Sequence, residues 1–121
     1  MIKRIWRGWT TPENAEAYQD LLLNEVIPSI GAQKIPGFAS TEVLREDVDG
    51  EIEFSTIMSF ESLQSVIAFR VANYALCYVP EAARKLLSRW DTVCHHYDVI
   101  AFKVFTKCGD ETSSFIYELV E

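Results

Sequence analysis

Two adjacent histidines, His95 and His96, and a cationic, aromatic opening segment, Arg4-Ile5-Trp6-Arg7, carry most of the chemistry open to this chain. A histidine titrates near neutral pH, so it can act as a general base or as a donor to a substrate oxygen. Neighbours on a strand point to opposite faces, so the pair cannot chelate one metal ion together. His96 is the candidate base, and Arg4 and Arg7 are the candidate cationic groups. A guanidinium beside aromatic walls suits a planar anion such as a phenolate, an enolate or a carboxylate. It would also stabilise an enolate formed by proton loss, or superoxide formed by electron transfer to oxygen. Trp6, Phe69, Tyr74 and Tyr97 are the candidate substrate-binding walls, with Tyr78 and Trp90 close to them in sequence. The bland alternative stays open for each: a histidine bonded within the fold, arginines paired to acids at a subunit interface, and aromatics serving as core.

The elements that would position these groups read as β-α-β-β-α-β, the split βαβ or ferredoxin-like order. Ile2 to Trp9 alternates as a strand, with Ile2, Arg4, Trp6 and Gly8 on one face and Lys3, Ile5, Arg7 and Trp9 on the other. Both faces mix apolar and cationic groups, so the strand is expected to be covered on both sides. Thr11 and Pro12 are a helix cap and first residue, and the helix is predicted to run to about Ile30 with its last turn disturbed by Pro28. Its apolar stripe reads as Ala17, Leu21, Val26 and Ile30, widened by Leu22 and Leu23. Ile35-Pro36-Gly37-Phe38 turns into a strand ending near Glu46; Asp49-Gly50 marks a hairpin, and Glu51 to Phe60 returns. On that return strand Ile52, Phe54, Met58 and Phe60 share a parity with Thr56. A helix from Glu61 to about Arg70 follows, with Ser59 as cap and Leu63, Val66, Ile67 and Phe69 buried. A short helix from Glu81 to about Trp90 and a strand from Val93 to Ile100 complete the unit.

The expected fold is therefore α+β: a four-stranded antiparallel sheet with helices on one face and a partner on the other. The natural place for a site is the cavity between the sheet and that partner. The last strand should lie beside the first, bringing His96 and Tyr97 near Arg4, Trp6, Arg7 and Trp9. Residues 1–100 form this domain, and 101–121 an extension that either prolongs the last strand or turns back at Gly109-Asp110 towards Phe115-Ile116-Tyr117.

The 121 residues suit one domain, and a net charge of −7 argues against non-specific nucleic-acid binding. Lys3, Arg4 and Arg7 interrupt any leader-like run, and no apolar run approaches the length of a membrane span, so a cytoplasmic location is expected. Cys77, Cys94 and Cys108 have neither disulfide parity nor metal spacing. The acids around the hairpin lack the ligand run of a calcium loop. There is no phosphate loop, no nucleophile elbow, no HExxH motif and no dinucleotide fingerprint.

Three stretches resemble antibiotic biosynthesis monooxygenase-like proteins of the dimeric α/β-barrel superfamily. They are Ile5-Trp6-Arg7-Gly8-Trp9-Thr10-Thr11-Pro12-Glu13-Asn14, Ile35-Pro36-Gly37-Phe38 and His96-Tyr97-Asp98-Val99. The resemblance covers roughly residues 1–100 and points to an uncharacterised branch. It implies a homodimer of ferredoxin-like subunits whose sheets enclose a barrel. It also implies a cofactor-independent monooxygenase acting on a small aromatic or polyketide-like molecule, with no metal and no cofactor. A non-catalytic dimeric ligand-binding or structural module is the rival, and an isomerase on the same fold a third reading. The haem-degrading branch carries a histidine iron ligand after its second helix, and here Asn73-Tyr74-Ala75-Leu76-Cys77-Tyr78-Val79 has none.

Overall fold

Alternation in the first ten residues places every second side chain on a helix-covered face. In the computed structural model, which describes residues 1–72 and 80–105, Ile2–Thr10 forms β1, with Ile2, Arg4, Gly8 and Thr10 buried and the odd-numbered residues only partly covered. Thr11 caps the first helix by accepting from the Asn14 amide, and Pro12 opens it. The helix α1 (Pro12–Leu21) passes through a π-helical turn (Leu22–Val26) into α2 (Ile27–Gly31). Pro28 accounts for the wide turn. It cannot donate to the carbonyl four residues back, and its ring would collide with that carbonyl in a regular α-helix.

The buried stripe also differs from the one expected. Ala15, Tyr18, Leu22 and Ile30 are buried, while Ala17, predicted to lie in the stripe, is exposed. The turn Ile35-Pro36-Gly37-Phe38 closes with the Phe38 amide donating to the Ile35 carbonyl at 3.1 Å and with Gly37 at φ 82°. This is the Pro-Gly pattern of a type II turn. β2 (Phe38–Val48) and β3 (Glu51–Phe60) are joined by Asp49-Gly50, both at positive φ, as a type I′ turn requires. The helix α3 (Leu63–Ala72) is capped by Ser62, whose hydroxyl accepts from the Ser65 amide, rather than by Ser59, which is a buried strand residue. Val66 and Phe69 face the core, whereas Leu63 and Ile67 are exposed.

The helix α4 is shorter than its sequence suggests. It spans only Glu81–Arg84, and Leu87–Trp90 is strand β4, followed by β5 (His95–Asp98). The sheet is thus five-stranded and antiparallel, in the order β2-β3-β1 with β4 and β5 sharing the far edge of β1. β4 pairs with Gly8–Thr10 and β5 with Ile2–Ile5, so two short strands fill the position expected for one. The fold is α+β and ferredoxin-like. Tyr74, Tyr78, Cys77, Cys108 and the predicted return strand at 115–117 lie outside the described residues.

Two apolar clusters pack between sheet and helices. One gathers Tyr18, Leu22, Ile52, Phe54 and Leu87; the other gathers Ile2, Ile30, Phe60, Val66 and Phe69. Val26 touches both. Among the described residues, no helix is long and apolar enough to cross a membrane. Gly37 is the most confined of the described glycines: a Cβ there would fall 1.9 Å from the Ser65 hydroxyl oxygen, at a φ that L-residues rarely adopt. Gly37→Ala should cost about 3 kcal/mol of stability from backbone strain and overpacking together. By contrast, Gly31→Ala, at a helical position with open space around it, should gain about 0.5–1 kcal/mol. Urea unfolding midpoints of the two variants check both signs.

Candidate functional site

The two clusters are separated on the sheet by two neighbouring rungs. Arg4 stands opposite Met58, and Trp6 opposite Thr56. All four side chains line a cavity of about 90 Å³ beneath Tyr18 and Leu22. Phe69 from α3 and Cys94 from the β4–β5 connection complete its wall. The cavity lies between the sheet and the helices of a single chain, on the even-numbered face of β1. The sequence placed a site on the other, open face. The side-chain parity of β1 is the reason, because Arg4 and Trp6 both point to the helices.

Arg4 is 94% buried, leaving 6% exposed. Its Nη1 lies 3.2 Å from Nε2 of His96, the residue directly opposite it on β5. Its guanidinium carbon sits 5.2 Å from the centre of the Phe69 ring. A guanidinium has only donors, so Nε2 accepts and carries no proton. Partial burial first, then the Arg4, Arg70 and His95 charges, hold the His96 imidazole below the ordinary histidine range. His96 is itself exposed at the sheet edge and reaches the cavity through Arg4 rather than lining it.

Trp6 is fixed from two sides. Its indole N–H donates to the Asp91 carbonyl at 2.8 Å. Its ring lies over Gly8, where a Cβ would come within 3.2 Å of it. Tyr18 packs edge-on against Phe54, and burial pushes its hydroxyl up to about 12. It is therefore a proton donor at any physiological pH and not a base.

The other sequence candidates lie elsewhere. Arg7 is on the open face, bonded through Nε to the Asp91 carboxylate at 3.1 Å and stacked near Trp9. Tyr97 also faces the open side, opposite Lys3, and is exposed. The structure therefore brings Arg4, Trp6, Phe69 and His96 together, and places Arg7 and Tyr97 apart from them. Among the described residues no group of acids, histidines and cysteines is arranged to hold a metal ion.

The fold has structural counterparts. A Bacillus cereus protein named as a putative antibiotic biosynthesis monooxygenase is 17% identical, with 86% of this chain and 97% of that one covered at a TM-score of 0.64. The monooxygenase ActVA-Orf6 of Streptomyces coelicolor, solved in complex with nanaomycin D, is 14% identical, with 87% and 92% covered at 0.61. Rv0793 from Mycobacterium tuberculosis is 17% identical, with 85% and 98% covered at 0.59. This chain has the antibiotic biosynthesis monooxygenase-like fold. No family model and no curated protein matches the sequence, so the likeness to this fold is carried by shape.

Within the monooxygenase-like fold, Tyr18, Thr56, Met58 and Cys94 are cavity residues that sequence reasoning did not select. Thr56 had a signal: it is the polar member of an otherwise apolar parity in β3. Tyr18 had a weaker one, lying three residues after Ala15 and four before Leu22.

The depressed His96 has a consequence for pH. The unfolded chain binds the proton more readily than the folded one, so stability is full above about pH 6.5 and falls as pH drops through the folded value. His96→Gln should remove that part of the acid sensitivity, read as the difference between urea midpoints at neutral and mildly acid pH. Arg4→Met should raise the His96 titration midpoint, followed by NMR of the imidazole protons.

Proposed function

We propose that this protein binds a small aromatic, polyketide-like molecule at the Arg4 cavity and oxygenates it without a resident cofactor. One observation carries the reading: a buried guanidinium stands between an unprotonated imidazole nitrogen and an aromatic face, at the wall of a largely apolar cavity. An acidic hydroxyl of the substrate meets Arg4 from the cavity and, as the guanidinium swings off His96, takes its place at Nε2. Its proton passes to Nε2, and the oxyanion rests on the Arg4 guanidinium. The anion between the two cations removes the repulsion that otherwise opposes a charged His96. The electron-rich ring then gives one electron to molecular oxygen, and the two radicals combine at a ring carbon to form a C–O bond. His96 returns its proton to the peroxide. Loss of water leaves a carbonyl, so that a CH₂ group and O₂ become C=O and H₂O. Trp6 and Phe69 flank the ring, and Tyr18 donates to an oxygen on its far side. In this reading the protein is a cytoplasmic homodimer, its open sheet face turned to a second copy.

ActVA-Orf6, a monooxygenase of this fold solved in complex with the ligand nanaomycin D, supports a small organic molecule as the ligand class. A second reading, a non-catalytic structural module, is favoured by the size of the cavity. About 90 Å³ is well short of the 300–1,000 Å³ typical of small-molecule sites. A ring system can enter only if Trp6 or Phe69 moves.

Anthrone, a tricyclic compound with an acidic CH₂, separates the readings. Oxygen uptake with anthraquinone formation is expected, and His96→Ala should slow it about 10²–10⁴-fold while ligand quenching of Trp6 fluorescence persists. Quenching without oxygen uptake would favour a ligand-binding module, no quenching the structural module, and a spectral change without uptake the isomerase.

A further inference from the structure

Two hydroxyls in the cavity wall make no hydrogen bond among the described residues. Tyr18 is 3% exposed and Thr56 7%, so each side chain is more than nine-tenths buried. Burial alone acts on the Tyr18 hydroxyl, with no bond to offset it. Among the described residues no fully enclosed polar side-chain atom lacks a partner, so both oxygens open onto a space. The space that both residues line is the Arg4 cavity. Thr10 shows how such a group is usually settled. It is fully buried on the same face of the sheet, and its hydroxyl donates to the Leu86 carbonyl. A buried hydroxyl without a bond opposes folding. Phenylalanine and valine would keep the shapes of Tyr18 and Thr56 without that cost.

The two hydroxyls belong to one end of the cavity and Arg4 to the other. Tyr18 comes down from α1 onto the Phe54 ring, with centroids 5.0 Å apart. Phe54 and Thr56 are alternate residues of β3 and share its covered face. The Arg4 guanidinium reaches the opposite way, to His96 on β5, and β1 lies between β5 and β3. Among the described residues Arg4 is the one charged side chain in the cavity wall. The Arg4 end therefore suits an anion, and the Tyr18 end a neutral oxygen. Two hydroxyl donors match the two lone pairs of one carbonyl oxygen.

We propose that Tyr18 and Thr56 form a second, uncharged subsite, which takes the carbonyl oxygen of a ring system whose ionisable hydroxyl sits at Arg4. The subsite rests on the reading of the Arg4 cavity given above and narrows its ligands to hydroxylated aromatic ketones. A phenol without the carbonyl uses the apolar wall and the Arg4 end only. The movement of Trp6 or Phe69 that admits a ring is common to both kinds of ligand, so it cancels when the two are compared.

Calorimetric titration of the full chain with two probes tests this. One is a hydroxytetralone, with a phenolic hydroxyl on its aromatic ring and a carbonyl on the saturated ring; the other is the tetrahydronaphthol that lacks only the carbonyl. The hydroxytetralone should bind the wild-type chain about fivefold to tenfold more tightly, the worth of one or two hydrogen bonds. Tyr18→Phe with Thr56→Val should abolish that preference. The same double variant, without ligand, should unfold at an equal or higher urea concentration than the wild type, which a structural role for the hydroxyls would reverse. Arg4→Met should weaken both probes alike. Equal binding of the two probes to the wild-type chain would overturn the subsite and leave the Arg4 reading standing. So would a preference that survives in the double variant, or a double variant with a lowered urea midpoint. Failure of both probes to bind would overturn the Arg4 reading and the subsite with it.

Discussion

Burying the Arg4 guanidinium on the helix-covered face of the sheet is the constraint around which the rest of the molecule is arranged. Removing a cation from water is costly unless its surroundings compensate. Here they include the unprotonated nitrogen of His96 and the face of Phe69. Those demands fix β5 opposite the start of β1 and α3 above it. They also explain why the core divides in two. The Arg4–Met58 and Trp6–Thr56 rungs lie between the two clusters, and among the described residues Val26 packs against both. The cavity is the space left where that packing stops.

Local chemistry with a single solution was legible in the sequence. Asp49-Gly50 requires two residues at positive φ and Pro36-Gly37 requires one, and both turns appear where those residues stand. The alternation of β1 and β3 gave the correct partition of their faces. What escaped was decided by tertiary contacts. Leu87–Trp90 has a composition that fits either helix or strand, and pairing with Gly8–Thr10 settles it as strand. The stripe of the first helix was misjudged because its short, mixed sequence places Ala15 and Tyr18, not Ala17, against the sheet.

The candidate site was half legible for a related reason. That His96 lies next to Arg4 followed from topology alone, since the last strand must pair with the first. That Arg4 and not Arg7 faces the cavity required knowing which face the helices cover, and both faces of β1 carry a tryptophan and an arginine. Tyr97 followed Arg7 to the open face by the same parity. Cys94 was read as part of the last strand and carried no site signal, because it sits in the connection just before β5.

Asp91 occupies an unusual position in this scheme. Its backbone exchanges bonds with both Arg7 and Trp6, accepting from the Trp6 indole and donating to the Arg7 carbonyl, while its carboxylate holds the Arg7 amide and guanidinium. Trp6 and Arg7 are consecutive and point to opposite sides of the sheet, so this one residue is fastened to both. The sheet is consequently not an insulator between its two surfaces. Any shift of Asp91 would therefore displace a hydrogen-bond partner on each surface at once, the Arg7 guanidinium on one and the indole at the cavity wall on the other.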